Sequence, residues 1–218
     1  DADVHVDHWL GSQAMREAVP EIPIYGHPKM LEAVEKGAGA EWVQRMLSAT
    51  DDATRGTIAM GPNLSVGDGD EIEVGGLTYR FHAYGQVHSH TDLMISVVGE
   101  DVLFLGDNAN NHRIVRMDDG SFAGSVAALD QVKESVEAKV LIPGHGQTGG
   151  WEIVDDYREY LGGLYETETE LFEQGMSDFE MKPEVEERLS GFKDWPGFQD
   201  ELGKHISLAY LEVESNAF

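Results

Sequence analysis

At 218 residues the chain has room for one sizeable domain with a helical appendix, not for two independent domains, and it can bury an ordinary core. Fifteen Lys and Arg stand against 41 Asp and Glu, a formal net charge of −26, so its field repels phosphate backbones and anionic lipid, and neither nucleic acid nor a membrane is an expected partner. The absence of Cys excludes disulfides, thiolate metal ligands and cysteine nucleophiles. No apolar run approaches the roughly 18 residues of a membrane span, which leads us to expect a soluble protein, cytoplasmic or periplasmic.

The chain opens without Met or an apolar leader, and a processed or truncated start is expected. Its first motif is Asp3-Val4-His5-Val6-Asp7-His8. If this segment leaves a strand, residues 3, 5 and 7 project to one side and the following turn swings His8 to the same cavity. Trp9 to Val19 reads as a helix, Ile22 to Tyr25 as a short strand closed by Gly26, and Pro28 as the first turn of a helix towards Glu35. Apolar positions from Glu41 to Ser48 have helical spacing, and Thr50 to Gly69 reads as a loop. The period then changes to two: Ile72 and Val74, then Leu77, Tyr79 and Phe81, flank a Gly75-Gly76 hairpin. Leu93 to Val98 and Val102 to Leu105 form a second hairpin across Gly99-Glu100, dense enough in apolar residues to be buried on both faces. Ser125 to Ala138 is read as an amphipathic helix, Val140 to Ile142 as a strand, and Val154 to Phe172, Lys182 to Leu189 and Leu202 to Val213 as helices. Strands alternating with helices give an α/β sandwich, with a boundary near Gly150 between residues 1–150 and a helical extension, 151–218, packed on them.

Three further donor-bearing segments stand at strand ends, where a sandwich opens to its ligand. They are His88 in Gly85-Gln-Val-His-Ser-His-Thr-Asp92, Asp107 in Phe104-Leu-Gly-Asp107-Asn108, and His145 in Ile142-Pro-Gly-His-Gly146. His and carboxylate donors converging from several segments are what a divalent-metal site needs. Asn108, Asn110 and Asn111 are read as turn residues near the substrate, and His82, His112 and His205 as structural histidines.

In order and surroundings these motifs resemble the series that defines the metallo-β-lactamase superfamily. That resemblance implies an αββα sandwich with a C-terminal helical layer and a site for two divalent metals, normally Zn. His5 and His88 would hold one metal, Asp7, His8 and His145 the other, and Asp107 would bridge them, with Asp92 orienting a ligand imidazole. It also implies that a metal-activated water attacks an ester-like bond of a small-molecule substrate, with Asp7 moving the proton. An Asp at position 107 resembles the thioesterase and lactonase branch more than the β-lactam-hydrolysing one. Two features depart from the pattern. Asp3 stands where the family has His, a harder donor that either favours Mn or Fe over Zn or leaves the first metal site weak. The strands that precede the motif in the family have no counterpart, so an apolar sheet face is expected to need an upstream fragment or a second copy as its cover. A mononuclear-iron sulfur oxygenase and a catalytically silent binding protein are the alternative functions.

Overall fold

A computed structural model describes residues 2–217. The chain first makes two short helices, α1 (Val6–Trp9) and α2 (Ser12–Ala18), and the two-residue strand β1 (Tyr25–Gly26). Next come α3 (Pro28–Glu35), with Pro at the start of the helix, and α4 (Ala38–Ala49). The long loop is interrupted by β2 (Leu64–Ser65), which pairs in parallel with β1. A five-stranded sheet follows: β3 (Glu71–Val74), β4 (Leu77–His82), β5 (Met94–Val97), β6 (Val102–Gly106) and, after helix α5 (Phe122–Ser135), β7 (Val140–Pro143). Neighbours in this sheet run antiparallel from β3 to β6, and β7 joins β6 in parallel. Three helices close the chain: α6 (Glu152–Glu173), α7 (Asp178–Arg188) and α8 (Phe198–Ala217).

The two faces of the sheet have different fates. Met94, Leu103, Leu105 and Leu141 point to the helical side and are buried in one continuous core with Leu129 and Val132 of α5 and with Ile153, Tyr157 and Leu161 of α6. The apolar spacing along α6 also presents Tyr160 and Leu164 to that core, and α7 and α8 extend it through Met181, Val185, Leu202 and Ile206. On the opposite face the register sets Tyr79, Val97, Val102 and Val140 side by side, and Phe81, Ile95, Phe104 and Ile142 beside them. Over part of this face Val66 and Tyr25 join Phe81 and Leu93 in a small second cluster. Elsewhere it is open: Val74 is 53% exposed, Phe104 38% and Val140 40%. The reading of both hairpin strands as buried on two faces is therefore corrected for β6, because no second full sheet lies across Phe104 among the described residues.

Local chemistry explains the other shifts in element boundaries. The single helix read from Trp9 to Val19 is two helices, interrupted at Leu10–Gly11. Helix α5 starts at Phe122 rather than Ser125 because Ser121 accepts a hydrogen bond from Gly124 N and Glu212 of α8 accepts from Ser121 Oγ and from the Phe122 and Ala123 N–H groups. Carboxylate and hydroxyl together satisfy donors that a helix start leaves unpaired. A Ser177–Glu180 capping box likewise starts α7 at Asp178, ahead of the expected Lys182.

Candidate metal centre

All seven expected donors lie at one end of the main sheet. Asp3 and His5 come from the turn before α1, Asp7 and His8 from α1 itself, His88 from the β4–β5 connection, Asp107 from the residue after β6, and His145 from the loop after β7. The opening motif is not on a strand. A tight bend and one helical turn bring its four donors together, with Asp3 Oδ1 accepting from His5 N at 2.6 Å. Three contacts fix this segment to the fold: Leu93 N donates to Ala2 O at 2.9 Å, Val4 N to Thr91 Oγ1 at 2.9 Å, and the buried Trp9 Nε1 to Val4 O at 2.8 Å.

Asp107 is at the centre. It is 5% exposed, with Oδ2 at 3.3 Å from His8 Nε2 and 3.4 Å from His88 Nε2 and Oδ1 at 3.5 Å from His145 Nε2. Two backbone features place it there. Gly106 adopts φ +56° where the β6–β7 register shifts, turning the chain into the cavity through a conformation that suits glycine. Gly144 packs so closely behind that a Cβ would stand 2.0 Å from Asp107 Oδ1. Asn110, fully buried, ties the two loops together: its Nδ2 donates to Asp107 O at 3.3 Å and its Oδ1 accepts from His145 N at 2.9 Å. Asn111 adds a hydrogen bond from its N to His145 O, and Asn108 braces the turn through Leu105 O. The asparagines are thus brackets for the donors.

The donors fit a divalent cation. Asp3, His5 and His88 each offer a ligand atom within 4.8 Å of the others, as do Asp7, His8 and His145, and also Asp3, His8 and Asp107. Tetrahedral ligands at about 2.0–2.1 Å from an ion stand about 3.3–3.4 Å apart, and the separations around Asp107 match. Buried Asp3 Oδ2, His5 Nδ1, His8 Nε2, His88 Nδ1 and Asp107 Oδ1 have no hydrogen-bond partner among the described residues, a costly state for polar atoms unless a ligand compensates. Asp3, 1% exposed, is part of two of these groups, although its own carboxylate keeps His5 Nδ1 at 3.2 Å.

Electrostatics points the same way. The Asp107 carboxylate and then the Asp7 carboxylate beside it raise the His145 imidazole to about 10. His8 is raised to about 9 even though burial opposes the charge, because Asp107 and Asp3 outweigh it. Asp107 is held far below the usual carboxylate range, its burial overcome by His145 and His8, and Asp7 is lowered chiefly by His145. Such a pocket attracts positive charge in any form. Asp92 has another role than the one expected: its carboxylate accepts from Ser89 N and Ser89 Oγ, both at 2.7 Å, and braces the His88 turn rather than bonding a ring.

A cavity of about 450 Å³ opens over the donors. Its walls include Trp42, whose ring meets His5 edge-on at 5.8 Å, with Arg113 and Arg116 beyond. The sequence offered no signal for these three, since 37 positions separate Trp42 from His5 and only the packing of α4 unites them. His82 bonds Ser96, and His205 lies buried between Tyr160 and Val115 O, away from the donors.

Comparison with known proteins adds the family. Among solved structures, the stereoselective inverting sec-alkylsulfatase from Pseudomonas sp. is similar to the chain with a TM-score of 0.68 at 16% identity, over 97% of this chain and 40% of that one. A metallo-beta-lactamase from Pontibacter korlensis is similar with a TM-score of 0.53 at 15% identity, over 73% of this chain and 66% of that one. At such identities the likeness is one of fold, and the chain spans only 40% to 66% of these structures' lengths. No curated protein matches the chain. The model of the metallo-beta-lactamase superfamily matches residues 4–145, a span well over half the chain that takes in six of the seven donors, and the chain belongs to that superfamily.

Proposed function

We propose that the protein is a metal-dependent hydrolase acting on an ester-like bond, with thioesters, lactones and esters ahead of β-lactams. The observation that carries this reading is the buried Asp107 carboxylate with three imidazoles at 3.3–3.5 Å. In this reading His5, His88 and Asp3 would hold one divalent ion, Asp7, His8 and His145 would hold a second, and Asp107 would serve both; Zn would suit the imidazoles, Mn or Fe the added carboxylate. Such ions supply a water acidified towards neutrality and polarise the bond to be cleaved.

The chain's own residues do the rest. Asp7 is half-exposed at the cavity and stays ionised near neutrality because His145 Nε2 stands 3.1 Å from its Oδ2. It is placed to take a proton from the attacking water and deliver it to the leaving oxygen or sulfur. Asp107 and Asn110 hold the imidazoles in one arrangement, so little reorganisation is required as charge develops. The wall formed by Trp42 covers the His5 side and narrows access to bulk water.

The test is a panel of thioester, lactone, aryl ester, sulfate ester and β-lactam substrates, assayed with metal-loaded protein and after chelation, alongside elemental analysis. Turnover that chelation abolishes and Zn or Mn restores is the expected result; no turnover of any member with the sites full overturns it. A second reading rests on Asp3, His5 and His88, two imidazoles and a carboxylate within 4.8 Å, a donor set that also suits a single non-haem iron. One iron per chain with oxygen uptake on a persulfide would favour it.

A further inference from the structure

We propose that Arg113 binds an anionic oxygen group of the substrate, remote from the bond that is cleaved, so that the preferred substrate is an acid-bearing ester or thioester. The proposal rests on the hydrolase reading above.

Its basis is where unpaired positive charge is found. In a chain with 41 acidic and 15 basic side chains, carboxylate partners are plentiful. Among the described residues most Lys and Arg form such pairs; those that form none are Arg16, Lys29, Arg45, Arg113, Arg188 and Lys193. Arg113 alone of these lines the cavity over the donors. Two other charges on that wall are already engaged: Arg116 Nε bonds Asp118 Oδ2 at 2.7 Å, and Glu201 pairs with Lys204 at 3.0 Å. Asp200 also lines the cavity, and no ion pair joins it to Arg113.

The backbone under the exposed Arg113 is held on both sides, so its Cα is fixed at the cavity wall. His112 adopts φ +50° with its ring 5.1 Å from Trp195 and its Nε2 3.4 Å from Asp156. Ile114 N donates to Pro196 O at 2.9 Å, and the buried His205 anchors Val115 O at 3.0 Å. A left-handed non-glycine residue and two clamps are more than a surface loop needs to support one solvated arginine. A guanidinium at the wall of a cavity is suited to a planar carboxylate or another oxyanion.

The experiment has two arms on the metal-loaded protein. In the first, mono-p-nitrophenyl glutarate, p-nitrophenyl valerate and p-nitrophenyl sulfate are compared in the parent, Arg113→Gln, Arg113→Lys and Arg188→Gln. The expected result is a loss in Arg113→Gln of about two- to fivefold in kcat/KM for the glutarate ester, a size typical of an exposed charge pair. The valerate and sulfate esters hold their parent rates, Arg113→Lys recovers part of the loss, and Arg188→Gln behaves as the parent. Equal losses on glutarate and valerate, a loss confined to the sulfate ester, or an equal loss in Arg188→Gln overturns the proposal. The second arm titrates unreactive glutarate against glutaramide calorimetrically and needs no turnover, so it separates failure of the proposal from failure of the hydrolase reading. Parent binding that favours glutarate, with the preference lost in Arg113→Gln, supports it; parent binding without that preference, or a preference unchanged in Arg113→Gln, overturns it.

Discussion

Substituting Gly144 by Ala tests how tightly the centre is built. The new Cβ would stand 2.0 Å from Asp107 Oδ1, 2.8 Å from Gly106 C and 2.9 Å from Gly106 O, where ordinary contact begins at 3.4 Å. Gly144 is in no position to retreat, because its N–H donates to Gly106 O at 2.7 Å. The carboxylate must therefore shift by about 1.4 Å, whereas metal–ligand distances tolerate only about 0.2 Å. We expect metal affinity to fall at least about 100-fold, the upper end of what displacing a supporting residue does, and the metal-free protein to lose about 1–3 kcal/mol from overpacking. Competition with a graded series of chelators and urea unfolding without metal measure the two effects. Gly203→Ala is the control: that glycine is exposed on α8 with nothing within 4 Å of a Cβ, and Ala should stabilise the helix by about 0.5–1 kcal/mol. If Gly144→Ala retains the parent's metal stoichiometry and an affinity within threefold, Asp107 is not at the heart of the site.

Other outcomes follow from the same geometry. Burial lowers the His205 imidazole from 6.5 to about 4, so the unfolded chain takes up a proton that the folded one refuses; stability is full above pH 6.5 and falls as pH drops towards 4. About 1.4 kcal/mol per pH unit is lost in that window, which denaturant midpoints between pH 7.5 and 5 will show as a fall of about 2 kcal/mol that is absent from His205→Gln; parallel curves would disprove it. Asn110→Ala leaves Asp107 O and His145 N without their shared bracket, and metal affinity should drop about 10-fold or more with the circular dichroism spectrum unchanged. Glu212→Ala unpairs donors at the start of α5 and should cost about 1–3 kcal/mol in chemical denaturation. Asp3→His should move metal preference towards Zn; identical metal content in parent and variant would show that Asp3 does not set the site.

The hairpins were readable because Gly75-Gly76 and Gly99 punctuate period-two runs, and β3 to β6 appear where that punctuation puts them. The order of the donor segments was equally plain, since His88, Asp107 and His145 each follow an apolar strand and a sandwich exposes strand ends. What the residues did not reveal depends on distant partners. The start of α5 needs Glu212, 90 positions away from Phe122, and the bend that gathers Asp3 to His8 depends on Thr91. The open face of β6 could not be told from a covered one, because Phe104 reads as apolar in either case. The Ser177–Glu180 box that starts α7 was legible as a capping pair, and Pro183 lies inside that helix rather than at its start.

Four of the seven donors ride on the stretch from Asp3 to His8, and that stretch is fastened by few bonds of its main chain: Ala2 O to Leu93 N just before β5, Val4 N to Thr91 Oγ1, and Val4 O to the Trp9 indole. Its place in the fold then owes much to whatever its side chains grip, so cation binding and local ordering become one equilibrium. In hydrogen-exchange experiments the amides of Val6 to Trp9 should open first when a chelator is added, while those of β5 and β6 exchange as slowly as before. The centre would thus serve as a clasp that stitches the beginning of the chain to the sheet.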